Sequence, residues 1–358
     1  MLRNLHEKAR RHASSLAFIL GFAWDSFMLE RIDHEFAHIM LSTYLGVCAL
    51  SIIMIHMHES RRERLNMTHK YGPWLPYVLQ FCFGGLFSAY IIFYTQSASL
   101  AVSWPFLLFL VLLVLANELL HKRYTSTTFQ MSMFFTVLMS YIIFSLPILL
   151  GEISDEVFIV SGFVSLAIIS FLATLLKLFS FDIYMRSRKL LFLSVCGIYL
   201  LFHVAYFTNL IPPVPLSLRE IGVYHSIIKE DDDKYKVRFE ASKWYPWFKN
   251  TSPVFNRIGT EPAYVFASVF APAKLTTPLF YVWSYFDETD EKWVTTDRIS
   301  FPIVGGREEG YRGYSVKEGI FPSKWRVDIE TFRKQRVGRV EFSVVEKGPL
   351  PKLITEIR

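Results

Sequence analysis

His34-Glu35-Phe36-Ala37-His38 is the stretch of this chain whose residue types and spacing match a metal-dependent hydrolase. On a helix, histidines at i and i+4 share a face and can hold zinc, with the intervening glutamate as general base. A third ligand has no motif of its own; Asp25, Asp33, Glu152, Asp155 and His203 have suitable chemistry. The alternative reading is a polar helix start at the lipid headgroup level. A second cluster is Gly305-Gly306-Arg307-Glu308-Glu309-Gly310-Tyr311-Arg312-Gly313-Tyr314. Its glycines free the backbone, Arg307 and Arg312 offer planar charge-assisted hydrogen bonds, and Tyr311 and Tyr314 offer flat faces. Such a set suits an anionic or sugar-like ligand. The competing reading is a bulged or long hairpin whose arginines bridge to acidic neighbours.

Other catalytic material is scarce. Residues 213–358 hold one histidine, His225, and no cysteine. They contain no Gly-x-Ser-x-Gly elbow, phosphate loop or dinucleotide fingerprint, and no cofactor is implied. Cys48, Cys82 and Cys196 all fall in apolar stretches, which leaves no disulfide and no cysteine metal site in the C-terminal part. A binding or scaffolding module is therefore the more economical expectation.

Seven apolar stretches precede that part, at 13–29, 36–57, 74–95, 99–120, 129–150, 157–178 and 190–211. About 20 apolar residues cross a bilayer as a helix. The segments between them alternate in charge. Fourteen basic residues, in the groups Arg3–Arg11, Arg61–Lys70, Lys122–Arg123 and Lys177–Lys189, fall on one side, against Arg31 alone on the other. Basic residues collect in the cytoplasm. The bias predicts a cytoplasmic N-terminus and, after seven crossings, an extracytoplasmic C-terminal third. No small-x-small site follows the first stretch, so it reads as a retained helix rather than a cleaved signal. Asp25, Arg31 and Asp33 are expected to form an ion cluster at the outer rim, with a proton or substrate site as the alternative. His203 is expected to hydrogen-bond a neighbouring helix.

Pro212, Pro213 and Pro215 end the last helix. Ile221–Ile228 and Lys234–Glu240 read as two strands, followed by an aromatic stretch, Lys243–Lys249, suited to a membrane interface or to capping a β core. Tyr264–Phe270, Leu279–Phe286 and Trp293–Phe301 are β-rich, and Trp325, Val327 and Ile329 alternate with polar residues, as do Val340, Phe342 and Val344. The expected architecture is an α-helical polytopic membrane bundle of about seven transmembrane helices, then an all-β, Ig-like antiparallel sandwich. The expected divisions are 1–212 for the bundle, 213–260 for a membrane-proximal connector with a hairpin, and 261–358 for the sandwich.

Gly305-Gly306-Arg307 with Gly310-Tyr311-Arg312-Gly313-Tyr314, Lys324-Trp325-Arg326-Val327 and Gly338-Arg339-Val340-Glu341-Phe342 together resemble the C-terminal domain of unknown function 2914. Gly21 through Asp33 and the exit Asn209–Leu218 resemble the membrane half of the same bacterial proteins. The resemblance implies a bacterial inner-membrane protein with an exported β domain, and brings no catalytic residues with it. Ser323 and Lys334 stand where glycine is expected in that family, which puts two tight turns in question.

The sequence therefore points to a cell-envelope accessory or sensor. Its partners would be the lipid bilayer and an envelope protein or an anionic or sugar-like ligand, bound by Arg307, Tyr311, Arg312 and Tyr314. The alternative is a membrane zinc metalloprotease built on residues 34–38. Residues 213–358 carry 23 Lys+Arg against 20 Asp+Glu, a net charge of about +3, which is no nucleic-acid signal.

Overall fold

A computed structural model describes residues 35–60, 74–97, 100–119, 126–230, 234–240, 252–272, 275–306, 310–346 and 352–358. The chain divides into two compact units, Met1–Thr95 with Leu100–Val214, and Gln96–Ser99 with Pro215–Arg358.

The first unit is helical. Its described helices are α1 (Glu35–Ser60), α2 (Leu75–Ser97), α3 (Leu100–Leu119), α4 (Thr127–Leu150), α5 (Asp155–Phe179) and α6 (Phe181–Phe207). All but α3 are long and apolar enough to cross a membrane, and α3 has a shorter apolar stretch, Ser103–Ala116. Phe163, Phe171, Phe192 and Leu193 are 62–72% exposed on α5 and α6. Such a surface is costly in water and matched by acyl chains. The stretch 13–29 lies outside the described residues, as do Asp25, Arg31, Asp33 and the basic loop at 61–70.

Residues Met131, Phe134, Phe135, Val137 and Met139 of α4 are buried, which makes this helix the centre of the packing. Helices α5 and α6 run antiparallel. Ser154 caps α5 by accepting from the Val157 amide at 3.3 Å. Near that end, Tyr206 of α6 stacks on Phe158 with ring centroids 3.6 Å apart, and its hydroxyl donates to Asp155 at 3.2 Å. Close approach needs Gly162, where an added Cβ would sit 3.0 Å from the Tyr199 ring.

Helix α6 begins well before the apolar stretch at 190, so Arg186, Arg188 and Lys189 lie in its first turns rather than in a loop. Ser180 alone, with φ −146°, separates it from α5. Continuing the helix satisfies the backbone, while long basic side chains reach toward water. His203 differs from expectation as well. Its Nδ1 donates to the Tyr199 carbonyl of its own helix at 2.9 Å, and its ring packs on Phe158.

The second unit is a β structure. Its strands are β1 (Ser217–Tyr224), β2 (Ser226–Lys229), β3 (Tyr235–Glu240), β4 (Val254–Asn256), β5 (Ala263–Phe270), β6 (Thr276–Asp287), β7 (Lys292–Val304), β8 (Tyr311–Lys317), β9 (Lys324–Thr331), β10 (Arg336–Val345) and β11 (Leu353–Ile357). They form sheets ordered β1-β5-β8, β4-β10-β9-β6-β7 and β11-β3-β2. Pairing is antiparallel except between β4 and β10. The third sheet and the parallel pair are departures from a two-sheet antiparallel sandwich.

Strand alternation arranges these sheets in layers. Trp283 and Tyr281 of β6 donate to Ser315 Oγ and the Gly313 carbonyl of β8, at 2.9 and 2.7 Å. Leu218 of β1 packs on Gly338 of β10, where a Cβ would lie 2.2 Å from Leu218 Cδ2. On the other side of β1 and β5, Tyr224 and Phe266 join Ile227, Tyr235, Val237 and Phe239 in a separate core. The β1-β5-β8 sheet thus has a packed layer on each face, and β5 is buried along almost its whole length. Trp325, Val327 and Ile329 are fully buried, as their alternation predicts. Lys334 holds the β9–β10 turn at φ +63°, so the turn survives without glycine, at the strain cost of a left-handed non-glycine residue. Ser323, the other position, donates to the Phe286 carbonyl at 3.0 Å.

Candidate functional site

The glycine-rich segment is only partly a loop. Arg307 lies outside the described residues, Gly310 has φ +86°, and Tyr311–Tyr314 belong to β8. Alternation along β8 then separates the expected ligands. Tyr311 shares the face of Ser315, toward the five-stranded sheet, whereas Arg312 and Tyr314 share the opposite face. Tyr314 is 40% exposed and stands beside Tyr235 and Tyr264, with ring centroids 6.0 and 6.2 Å away. Arg312 and Tyr314 are brought together; Tyr311 is not among them.

The H-E-x-x-H stretch falls at the start of α1. His34 and the side chain of Glu35 lie outside the described residues. His38 sits against the α4 rings of Tyr141 and Phe144, at 6.3 and 6.0 Å. Among the described residues no three of His, Cys, Asp and Glu group to hold a metal ion.

Two charged clusters in the β unit were not legible in the sequence. The first centres on His225, which breaks the expected Ile221–Ile228 strand into β1 and β2. Its ring is buried and stacks on Phe255 at 4.3 Å. Nδ1 contacts Glu261 Oε1 and Nε2 contacts Glu240 Oε1, each at 2.9 Å. Each ring nitrogen thus faces its own carboxylate oxygen. Glu240 also accepts from the Asn256 amide at 2.7 Å and its side chain at 2.6 Å, and Glu261 from the Ile258 amide at 2.8 Å. Burial opposes charge on Glu240, but the hydrogen bonds from His225 and Asn256 outweigh it and hold the carboxyl below its ordinary value. With both ring nitrogens engaged and no nucleophile in the cluster, this group ties the β1–β2 junction to β3 and β4.

The second cluster covers the outer face of the five-stranded sheet. Register places Asp328 opposite Arg339, Arg326 opposite Glu341 and Glu330 opposite Arg336. The side chains do not simply pair across. Arg339 grips buried Asp328 with a fork, Nε to Oδ1 at 2.6 Å and Nη2 to Oδ2 at 2.8 Å. Arg336 Nε comes within 3.1 Å and Arg326 Nε within 3.8 Å of the same carboxylate. Glu341 accepts from Arg339 at 3.3 Å. Arg326 lies over the Trp293 ring at 4.3 Å, and Arg298 over Phe280 at 3.9 Å. Burial and the charges of Arg339 and Arg336 hold the Arg326 guanidinium below its ordinary value, against Asp328 and Glu341. Glu330 is pushed up by burial and by Asp328.

Residues 276–344 match the family model described as protein of unknown function (DUF2914). That match begins at the first residue of β6 and ends within β10, so it contains every residue of the arginine face. No curated protein matches the chain. Among solved structures, a Pseudomonas fluorescens alkylpurine DNA glycosylase bound to DNA containing an abasic site analog is similar at 8% identity. The alignment covers 86% of this chain and 98% of that one at a TM-score of 0.19, which carries no argument about fold or function.

Proposed function

We propose that this chain is a membrane-anchored binding protein of the bacterial cell envelope, an accessory or sensor rather than an enzyme. Seven helices anchor it with the N-terminus in the cytoplasm, and the β unit is a sandwich-like module exposed outside the inner membrane. The observation that carries the binding role is the placing of Arg312 and Tyr314 on one face of β8, with Tyr314 open beside Tyr235 and Tyr264. Flat aromatic faces next to a guanidinium suit a sugar-like or anionic ligand or an envelope protein.

Alkaline phosphatase fused after Arg358 should be active, and fused near Arg64 inactive; the reverse pair overturns the orientation. A photo-crosslinker at position 314 should capture the ligand or partner in cells, and Arg312→Ala should abolish capture while the melting temperature stays within a few degrees. Unfolding of that variant, or unchanged capture, removes Arg312 and Tyr314 as the site.

A further inference from the structure

A separate site lies on the outer face of the five-stranded sheet. We infer that Arg326 and Arg336, set on either side of the Asp328–Arg339 fork and backed by Trp293, bind an oxyanion, the phosphate or carboxylate group of a ligand presented to the β unit. The inference depends on the β unit being a binding module but not on Arg312 or Tyr314.

Arg298, Lys324, Arg326, Arg336 and Arg339 project on this face against Asp328, Glu330 and Glu341. Cations exceed anions even with every carboxyl ionised, and burial beside Asp328 resists ionisation of Glu330. Asp328 has two oxygens, and the Arg339 fork engages both. Arg336 Nε and Arg326 Nε are buried near the carboxylate without a hydrogen-bond acceptor, while the two side chains as a whole keep 21 and 22% of their surface open. Excess positive charge that the sheet leaves under-compensated is costly, and an anion set against the open parts of these two guanidinium groups offsets it.

Stacking supplies the geometry. A guanidinium lying on an indole uses its flat face, and its N–H donors stay in the plane of the group, where a planar carboxylate or a phosphate accepts them. Arg339 holds Asp328 still, so the two outer arginines are set before a ligand arrives. The His225 cluster makes the contrast within the same unit: there each nitrogen of the ring has its own carboxylate.

The test uses the full chain in phosphatidylcholine nanodiscs, titrated with inorganic phosphate and, separately, with succinate. Binding is followed by calorimetry and by tryptophan fluorescence, with Trp293→Phe identifying the responding ring. Saturable binding that perturbs Trp293, weakened at least ten-fold in Arg326→Gln and in Arg336→Gln, is the expected result. Arg326→Lys keeps the charge and loses the fork; it serves if the glutamine variant does not fold, and should also weaken binding. Repeating the titration in phosphatidylglycerol nanodiscs distinguishes sources. A lipid headgroup as the natural occupant would block added phosphate there, and a soluble ligand would leave its affinity unchanged. No saturable binding of either anion, or wild-type affinity in folded Arg326→Lys and Arg336→Gln, overturns the inference. Arg312→Ala should leave this binding intact, so failure of the Tyr314 site and failure of this one are separately visible.

Discussion

Within one β unit, two charged clusters solve the problem of buried polarity in opposite ways. Around His225, partners match: each ring nitrogen meets its own carboxylate, the Asn256 and Ile258 amides donate to those same carboxylate oxygens, and the Asn256 side chain donates to the second oxygen of Glu240. Around Asp328, one carboxylate faces three arginines, and two guanidinium Nε atoms end without an acceptor. A matched cluster stabilises a fold and has nothing to offer a ligand. A mismatched one leaves donors that the protein itself does not satisfy. Ionisable residues alone do not mark a site; the balance of donors against acceptors separates brace from surface.

The largest effect that tests this contrast is removal of the brace. His225→Ala strands Glu240 and Glu261 without the ring between them and opens a cavity beside Phe255, and should cost about 3–5 kcal/mol, the scale of removing one partner from a buried polar cluster. Chemical denaturation of the detergent-solubilised chain measures it; a loss below about 1 kcal/mol would mean that the cluster is not a brace. The two sides of β9 sharpen the comparison. Trp325→Ala, on the buried side, should cost about 3–5 kcal/mol. Arg326→Ala, on the arginine side, should cost about 1 kcal/mol or less, the scale of an exposed cation–aromatic contact. Equal losses would show that Arg326 is structural.

Intermediate in size is Gly338→Ala. An added methyl meets Leu218 at the join between two sheets, and overpacking of this kind should cost about 1–3 kcal/mol. Leu218→Ala in the same chain should recover part of that loss by opening space.

The smallest effect is the pH response of the brace. Glu240 has its folded-state value lowered, so its contribution is complete above the unfolded glutamate value of about 4.3 and is lost as pH falls through the folded one. Stability should therefore decline on the acid side below about pH 4.3, and Glu240→Gln should flatten that limb. An unchanged acid limb in the variant would assign the decline to other carboxylates.

Much of the architecture was legible because it depends on local pattern. Apolar runs of membrane length mark α1, α2, α4 and α5 wherever they pack, and the alternation of Trp325, Val327 and Ile329 marks a buried strand face. The nearly continuous apolar run of β5, Ala263–Phe270, also carried a signal: a strand apolar at successive positions is covered on both faces, which the extra sheet provides. The glycine-rich segment was harder, because flexible composition suggested one loop-borne set of ligands. Strand pairing of β8 with β5 sent Tyr311 one way and Arg312 and Tyr314 the other.

By itself, then, the sequence determined the long apolar helices and the strands with clear alternation or a continuous apolar run, but not β4, β8 or β11, since periodicity of neighbouring residues marks the former and not the latter. Only the tertiary structure decided which charges meet. His225 finds Glu240 and Glu261 through the folding of separate strands and turns, and Asp328 collects Arg336 and Arg339 through a β9–β10 register shifted between Arg336 and Gly338. Cross-strand register is a non-local property, and a shift of one residue turns a side chain to the other face. The arginine face therefore exists only once the sheet is assembled, although every residue that forms it is present in the chain.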